Sequence, residues 1–341
     1  MRVGVDGRSL VGGGARGVAH YTGALLEALA AEFPDDEYRV LLPRGRALVP
    51  RGVVPVRHPL PSKLLFAARP RLDGLIGDVD VVWAPAPAPL GVGDTPFVLT
   101  VHDRSWEVRP QDFTRYERLW HAVARPRALA RRAARVLCDT EVVRGEVIRE
   151  WGVPADRVRA VPLAPRPAPS PRAVPGAPYF LFVGALEPRK APDVLVDAFL
   201  RARARGLEAE LRIAGEGRLE VGGAGVRRLG RVDDLGALYA GALAVVLPSW
   251  LEGFGLPPVE GLAAGAPAIV SDLPVFREVL GDGALYVAPG DAEGLAGALL
   301  AVAGDPALRA RLLEAGRAQI APLSWAETAR RTRAVLAEAA A

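Results

Sequence analysis

Residues 243–260 read LAVVLPSWLEGFGLPPVE. The first five, Leu243–Leu247, are apolar throughout, as in a strand of a parallel sheet covered on both faces. Gly253 and Gly255 then free a turn, and a helix begins after them. Working outward, short β-branched runs alternate with longer helical stretches along the chain. Strands are expected at Val3–Val5, Tyr38–Leu42, Val79–Trp83, Phe97–Val101, Arg135–Cys138 and Arg157–Val161. A second series runs through Tyr179–Val183, Glu210–Ala214, Leu243–Leu247, Ala268–Val270 and Leu285–Val287. Val18, Tyr21, Leu25 and Leu29 recur at helical spacing between the first two strands. This alternation predicts an α/β, doubly wound architecture.

One segment breaks the pattern. Ala164 to Pro178 holds Pro165, Pro167, Pro169, Pro171, Pro175 and Pro178 with no helical or strand period. Proline lacks a backbone donor and favours extended chain, so residues 164–178 read as a semi-rigid linker. The expected organisation is a first domain over 1–163, the linker, a second domain over 179–323, and a closing segment over 324–341. Two doubly wound Rossmann-like domains facing each other place the carboxyl ends of both sheets on one cleft, where ligands of such sheets bind.

Composition narrows the function classes. The chain has 341 residues, 50% hydrophobic and 24% charged, as in an ordinary soluble globular protein rather than a disordered one. A net charge of +4 is too small an excess to argue for nucleic acid, which calls for a concentrated basic stripe. The single cysteine, Cys138, excludes an internal disulfide and reads as structural. Among the 43 basic residues only Lys63 and Lys190 are lysines. No secretory core follows Met1, and no run reaches the length of a spanning helix, so a cytoplasmic location is expected.

Two clusters carry chemistry. In FLFVGALEPRK, residues 180–190, a strand ends at Gly184 and a basic pair, Arg189 and Lys190, stands just before a helix. A planar fork beside a compact point charge suits a diphosphate, although such a pair can also be a solvated surface feature. The scarcity of lysine favours the site. In the second cluster Gly253 and Gly255 bring backbone N–H groups to the start of a helix, whose dipole favours an anion. Glu252 and Glu260 bracket that turn and can accept from sugar hydroxyls.

These residues carry a resemblance. Glu252 and Glu260, with Glu-Gly-Phe-Gly-Leu-Pro at the start of the interval, resemble the paired-glutamate motif of retaining glycosyltransferase family four, of the GT-B architecture. Similar segments run from Val101-His102-Asp103 through Val153–Pro162, Phe182–Lys190, Ile213–Gly217, Leu229–Val232 and Leu238-Tyr239 to Ser324-Trp325. The resemblance implies that Arg189 and Lys190 hold the donor diphosphate. Glu252 would bind donor-sugar hydroxyls, beside backbone groups of Gly184, Gly253, Phe254 and Gly255. Glu260 would bind the ribose, and Val232 would lie near the base. Gly13 and Gly14 would approach phosphates or acceptor, and His102 would sit at the reacting face of the sugar.

It implies a nucleotide-sugar donor, GDP-mannose first and a UDP-hexose second, with no separate cofactor and no metal. The final helix would cross back onto the first domain. One departure stands out: Asp139-Thr140-Glu141 follows the strand ending at Cys138, where the family often has a serine.

Competing readings are weaker. Gly12, Gly14 and Gly17 match a dinucleotide fingerprint, but Asp6 to Val11 separate them from the strand, and Pro43-Arg44 stands where an acidic residue is expected. Asp78-Val79-Asp80 matches a short metal-binding motif, yet lies at the entry of a strand rather than its carboxyl end. His20, His58 and His121 show no zinc spacing. A nucleotide-sugar-binding protein without turnover would show the same donor residues. Finally, Arg118, Arg125, Arg127, Arg131, Arg132 and Arg135 crowd one helical stretch, interrupted by Pro126, with Leu119, Trp120, Val123 and Leu129. That stretch suits either a solvated face or contact with an anionic membrane, which would give access to a lipid-linked acceptor.

Overall fold

A computed structural model describes the chain except for residues 12–16, 48, 62–70, 90, 92, 167–175 and 233. Gly12, Gly13, Gly14, Lys63 and most of the proline-rich segment therefore lie outside the described residues. Two compact units are present. One comprises Met1–Leu163 with Ser324–Ala341, and the other Ala164–Leu323.

The first unit is built on seven strands: β1 (Arg2–Asp6), β2 (Glu37–Leu42), β3 (Val54–Arg57), β4 (Val81–Ala84), β5 (Phe97–Val101), β6 (Arg135–Cys138) and β7 (Val158–Ala160). They pair in parallel in the order β3-β2-β1-β4-β5-β6-β7. The second unit contains β8 (Tyr179–Val183), β9 (Glu210–Ala214), β10 (Val226–Gly230), β11 (Ala244–Leu247), β12 (Ala268–Ser271) and β13 (Ala284–Val287). These are also parallel, in the order β10-β9-β8-β11-β12-β13. Both sheets are doubly wound, and each reverses its winding direction at one point: between β1 and β4, and between β8 and β11.

The central strands are the apolar runs of the sequence. β4, β5, β11 and β12 are buried at every residue. The edge strands β3 and β10 are additions that periodicity does not reveal. VPVR carries a proline and is largely exposed, while VRRLG carries two exposed arginines and no fully buried residue. An edge strand tolerates such residues because one side of its ladder needs no partner. β4 also starts later than Val79, because Asp80 is occupied by Arg2. Its carboxylate accepts from the Arg2 backbone N–H at 2.7 Å and from the guanidinium at 2.8 Å, while Asp78 takes the other guanidinium nitrogen.

The helix Trp325–Ala340 completes the first unit. Ser324 caps its start, and the Thr328 hydroxyl donates to the Pro162 carbonyl at 2.8 Å. Val335 and Leu336 are buried against the unit. On its outer side Arg333 pairs with Asp36, and Glu338 with Arg135 and Arg159.

The arginine-rich stretch is interrupted at Pro126, as its sequence indicates. Arg125 takes a left-handed conformation (φ 50°) ahead of Pro126 and divides it into Arg115–Ala124 and Pro126–Arg132. A residue before proline is pushed out of the right-handed helical region, which accounts for the break. Arg127 pairs with Glu107, Arg131 donates to the Trp151 carbonyl at 2.6 Å, and Arg135 lies in β6. Leu129 is buried. The exposed apolar groups sit further back, at Val108 (51% exposed), Tyr116 (56%) and Leu119 (58%). Arg115, Arg118, Leu119 and Ala122 are all exposed and lie at the spacing of one helix face. The opposite face is an aromatic cluster in which His121 stacks on Trp106 with centroids 5.1 Å apart.

Because the closing helix supplies part of the first core, truncating a fully buried side chain on it should destabilise that unit. Leu336→Ala is expected to cost about 2–5 kcal/mol. The urea midpoint followed by Trp83 and Trp151 fluorescence should fall, and an unchanged midpoint would contradict this packing.

Candidate active site

The turns after β8 and β11 leave the second sheet on opposite sides of the switch point, the place where doubly wound sheets bind ligands. After β8 the chain passes Gly184 (φ 158°), whose N–H donates to the Ala214 carbonyl at 3.0 Å. The neighbouring turn comes so close that a Cβ on Gly215 would lie 1.9 Å from the Gly184 carbonyl oxygen. Only glycine permits this approach. A short turn, Pro188–Lys190, then delivers the basic pair. It ends at Ala191, a non-glycine residue at φ 49°, from which the helix Pro192–Ala204 departs. Left-handed backbone at alanine is costly and persists where the surroundings over-determine it.

The turn after β11 is stitched to this one. Trp250 N–H donates to the Arg189 carbonyl at 2.8 Å. The Lys190 ammonium forms an ion pair with Glu252 Oε1, and the Ser249 hydroxyl donates to the same oxygen at 2.7 Å. Both charged side chains are largely buried. Arg189 is held by Glu187 at 3.2 Å. Gly253, Phe254 and Gly255 follow, all buried. A side chain on Gly255 (φ 87°) would strike the Phe276 ring at 2.4 Å. The helix Leu256–Ala264 that begins here has no side-chain cap, and because Pro257 and Pro258 carry no N–H, Leu256 supplies the backbone donor of its first three residues.

Glu260 lies one turn into that helix and is buried. Its Oε2 accepts from the Tyr239 hydroxyl at 2.7 Å, and its Oε1 lies 3.0 Å from Arg166 Nε. Burial raises the Glu260 pKa, opposed by Arg166 and Tyr239. Burial and the nearby carboxylate push the Tyr239 phenol well above its ordinary range. Val232 packs, partly buried, against the cluster containing Tyr179, Leu181 and Tyr239.

In the first unit His102 directly follows β5. Its Nδ1 is 2.7 Å from Asp139 Oδ2, and its Nε2 donates to the Pro85 carbonyl at 2.9 Å. Tyr21 meets the ring edge-on, with centroids 4.7 Å apart.

The structure thus brings Arg189, Lys190 and Glu252 together at one switch point, with Gly184 beneath and Gly253, Phe254 and Gly255 alongside. Glu260 is on the helix that leaves it. His102 belongs to the other unit, and Gly13 and Gly14 are outside the described residues. Sequence reasoning did not single out the partners that hold these groups: Ser249, Tyr239, Arg166, Asp139 and Tyr21. Ser249 and Tyr239 lie within quoted segments but carry no mark of their role. Arg166 stands in a stretch whose prolines suggest only a spacer. Among the described residues no cluster of His, Cys, Asp and Glu could hold a metal ion, and no helix is long and apolar enough to cross a membrane.

Comparisons with known proteins fit this geometry. Residues 15–164 match the family described as "Glycosyltransferase Family 4", and residues 177–305 match "Glycosyl transferases group 1". The chain is 30% identical over 262 residues to O-antigen chain mannosyltransferase B of Escherichia coli, spanning 67% of this chain and 66% of that one. It is 38% identical over 162 residues to phosphatidyl-myo-inositol mannosyltransferase of Mycobacterium leprae, 44% of this chain and 43% of that one. The match therefore spans 43–66% of the length of these relatives. In fold the chain is similar to Anabaena HepE, solved in complex with UDP and glucose, with a TM-score of 0.72 at 17% identity over 98% of this chain and 99% of that one. The chain belongs to the family four, group 1 glycosyltransferases and has the α/β, GT-B class of fold.

Proposed function

We propose that the chain is a retaining hexosyltransferase that moves a sugar from a nucleoside diphosphate donor to an acceptor hydroxyl. The observation that carries this reading is the Lys190–Glu252 pair, stitched to Arg189 through Trp250 at the switch point of the second sheet. It offers one cationic group for a diphosphate and one carboxylate for sugar hydroxyls on two adjacent turns. When the donor enters, Lys190 turns from Glu252 to the phosphate, and the freed Glu252 oxygen accepts from the sugar. Glu260 takes the ribose hydroxyls, and Val232 borders the base. His102 serves the reacting face of the sugar.

In the transfer step the bond from the anomeric carbon to the diphosphate oxygen breaks, while a new one forms to the acceptor oxygen on the same face. The acceptor proton passes to the departing phosphate oxygen. Negative charge grows on that phosphate, and Arg189 and Lys190 are already in place to stabilise it, which is electrostatic preorganisation. No metal is needed, because these two cations supply the charge.

Mannose is the first sugar, because both relatives described above are mannosyltransferases by name. GDP-mannose is thus the first donor and a UDP-hexose the second, the latter supported by the UDP seen with HepE. Lys190→Ala should lower kcat by roughly a hundred- to a thousand-fold. Nucleotide release from GDP-mannose, UDP-glucose and UDP-galactose, in chelator and with sugar and lipid acceptors, measures this. Near wild-type turnover would overturn the assignment. Binding of a donor without any release would favour a nucleotide-sugar-binding protein.

The proposed acceptor is lipid-linked or a growing cell-surface glycan, reached at the cytoplasmic face of a membrane. Its contact surface is the exposed face of Arg115–Ala124, where Tyr116 and Leu119 stand beside Arg115 and Arg118. Apolar groups flanked by arginines suit the interface of an anionic bilayer. The protein should float with vesicles containing anionic lipid at low salt, and Leu119→Glu should abolish flotation. Equal flotation of the variant would remove this face from the reading.

A further inference from the structure

Three adjacent strands of the first sheet are joined through the residue that follows each. Pro85 follows β4, His102 follows β5 and Asp139 follows β6. The His102 ring spans all three, with Nε2 2.9 Å from the Pro85 carbonyl and Nδ1 2.7 Å from the Asp139 carboxylate. A carbonyl oxygen only accepts, so Nε2 carries a proton, and its lone pair is not offered to a substrate. The second nitrogen faces a carboxylate whose side chain is 4% exposed.

We propose that Asp139 is a positioning residue that keeps His102 protonated on both nitrogens, so that the imidazole ties together the carboxyl ends of β4, β5 and β6 and does not act as the base of the transfer. The inference deepens the glycosyltransferase reading and rests on it for its catalytic consequence. In the transfer step the acceptor proton then goes to the departing phosphate oxygen, and His102 neither gains nor loses one.

The surroundings agree. On the ring's own strand exit is Asp103, which accepts from the Ser105 N–H at 2.8 Å and its hydroxyl at 2.7 Å. From the helix Gly17–Glu32 comes Tyr21, whose hydroxyl bonds Thr100 and whose phenol burial holds above its ordinary range. From β6 comes the Cys138 thiol, likewise kept neutral by burial. Arg104, next along the chain, is turned to Glu107 at 2.9 Å and Glu146 at 3.7 Å. The charged groups nearest the ring are therefore carboxylates. Burial opposes the imidazolium, but Asp139, then Asp103 and the Pro85 carbonyl, outweigh it and raise the His102 pKa. Burial, with Asp103, raises the Asp139 pKa, and the charge and hydrogen bond of His102 oppose it. A histidine whose pKa is raised on folding contributes stability in full below its unfolded value of about 6.5, and loses it as pH rises through the folded value.

The test is a nitrogen-15 NMR titration of the histidine rings in the full chain, with His102 assigned through His102→Gln. In the wild type both His102 nitrogens should keep the protonated signature to a pH above the ordinary imidazole value of about 6.5. In Asp139→Asn the ring should titrate at or below about 6.5. Turnover should follow. Any histidine limb in the wild-type kcat should lie at higher pH than in Asp139→Asn. Asp139→Asn should lose roughly ten-fold or more at pH 7.5 and recover part of it at pH 5.5, with little change in donor KM. Asp139→Ser should behave as Asp139→Asn does, which guards against one variant misfolding. A wild-type His102 that titrates near 6.5, or variants with the wild-type pH profile, would overturn the proposal. Absence of transfer from every nucleotide sugar would sink the glycosyltransferase reading while leaving the NMR result to decide the state of His102.

Discussion

A lysine and a glutamate held out of water as a contact pair are the constraint around which the second unit is arranged. Burying two charges costs several kcal/mol for each ion, and their attraction offsets this only with good geometry and further hydrogen bonds. Lys190 and Glu252 meet those conditions because three other features are in place. β8 and β11 are neighbours in the sheet, so the turns that follow them start side by side. The Trp250 N–H to Arg189 carbonyl bond fixes one turn against the other, and Ser249 supplies a second donor to the loaded oxygen. The glycine contact at Gly184 and Gly215 lets the turns after β8 and β9 approach closely.

The fold was legible in the sequence where burial dictates composition. Apolar runs such as Leu243–Leu247 and Phe97–Val101 identify the central strands, and their alternation with helices identifies parallel sheets. β3 and β10 were not legible, since edge strands need no apolar face and theirs contain Pro55, Arg227 and Arg228. In the arginine-rich stretch the interruption was legible at Pro126, and the left-handed Arg125 before it was not.

The site divides along the same line. Arg189, Lys190, Glu252 and Glu260 could be singled out because each stands in a local pattern of strand, turn and helix. Their partners could not. Tyr239 reaches Glu260 from 21 positions away and Asp139 reaches His102 from 37, and only the strand order and helix packing bring them together. Asp139 stands in the segment that follows β6, and only the structure shows that it meets His102.

The distribution of cations sharpens the picture. Arginine holds fixed geometry through its fork: Arg8 grips Asp6 through two nitrogens at 2.8 Å each, and Arg277 does the same to Asp272 at 2.7 and 2.9 Å. Such bidentate pairs are poor exchange partners, because leaving one anion for another breaks two aligned bonds. A lysine ammonium has no preferred plane and a flexible stem. On the proposed reading, Lys190 must release Glu252 and engage a diphosphate in every cycle, and the change costs little because one anion replaces another at the same cation. The residue type that this chain otherwise avoids stands where partner exchange is required. At His102 the requirement is reversed: both nitrogens are committed, to Pro85 and Asp139, and the ring is built to stay where it is.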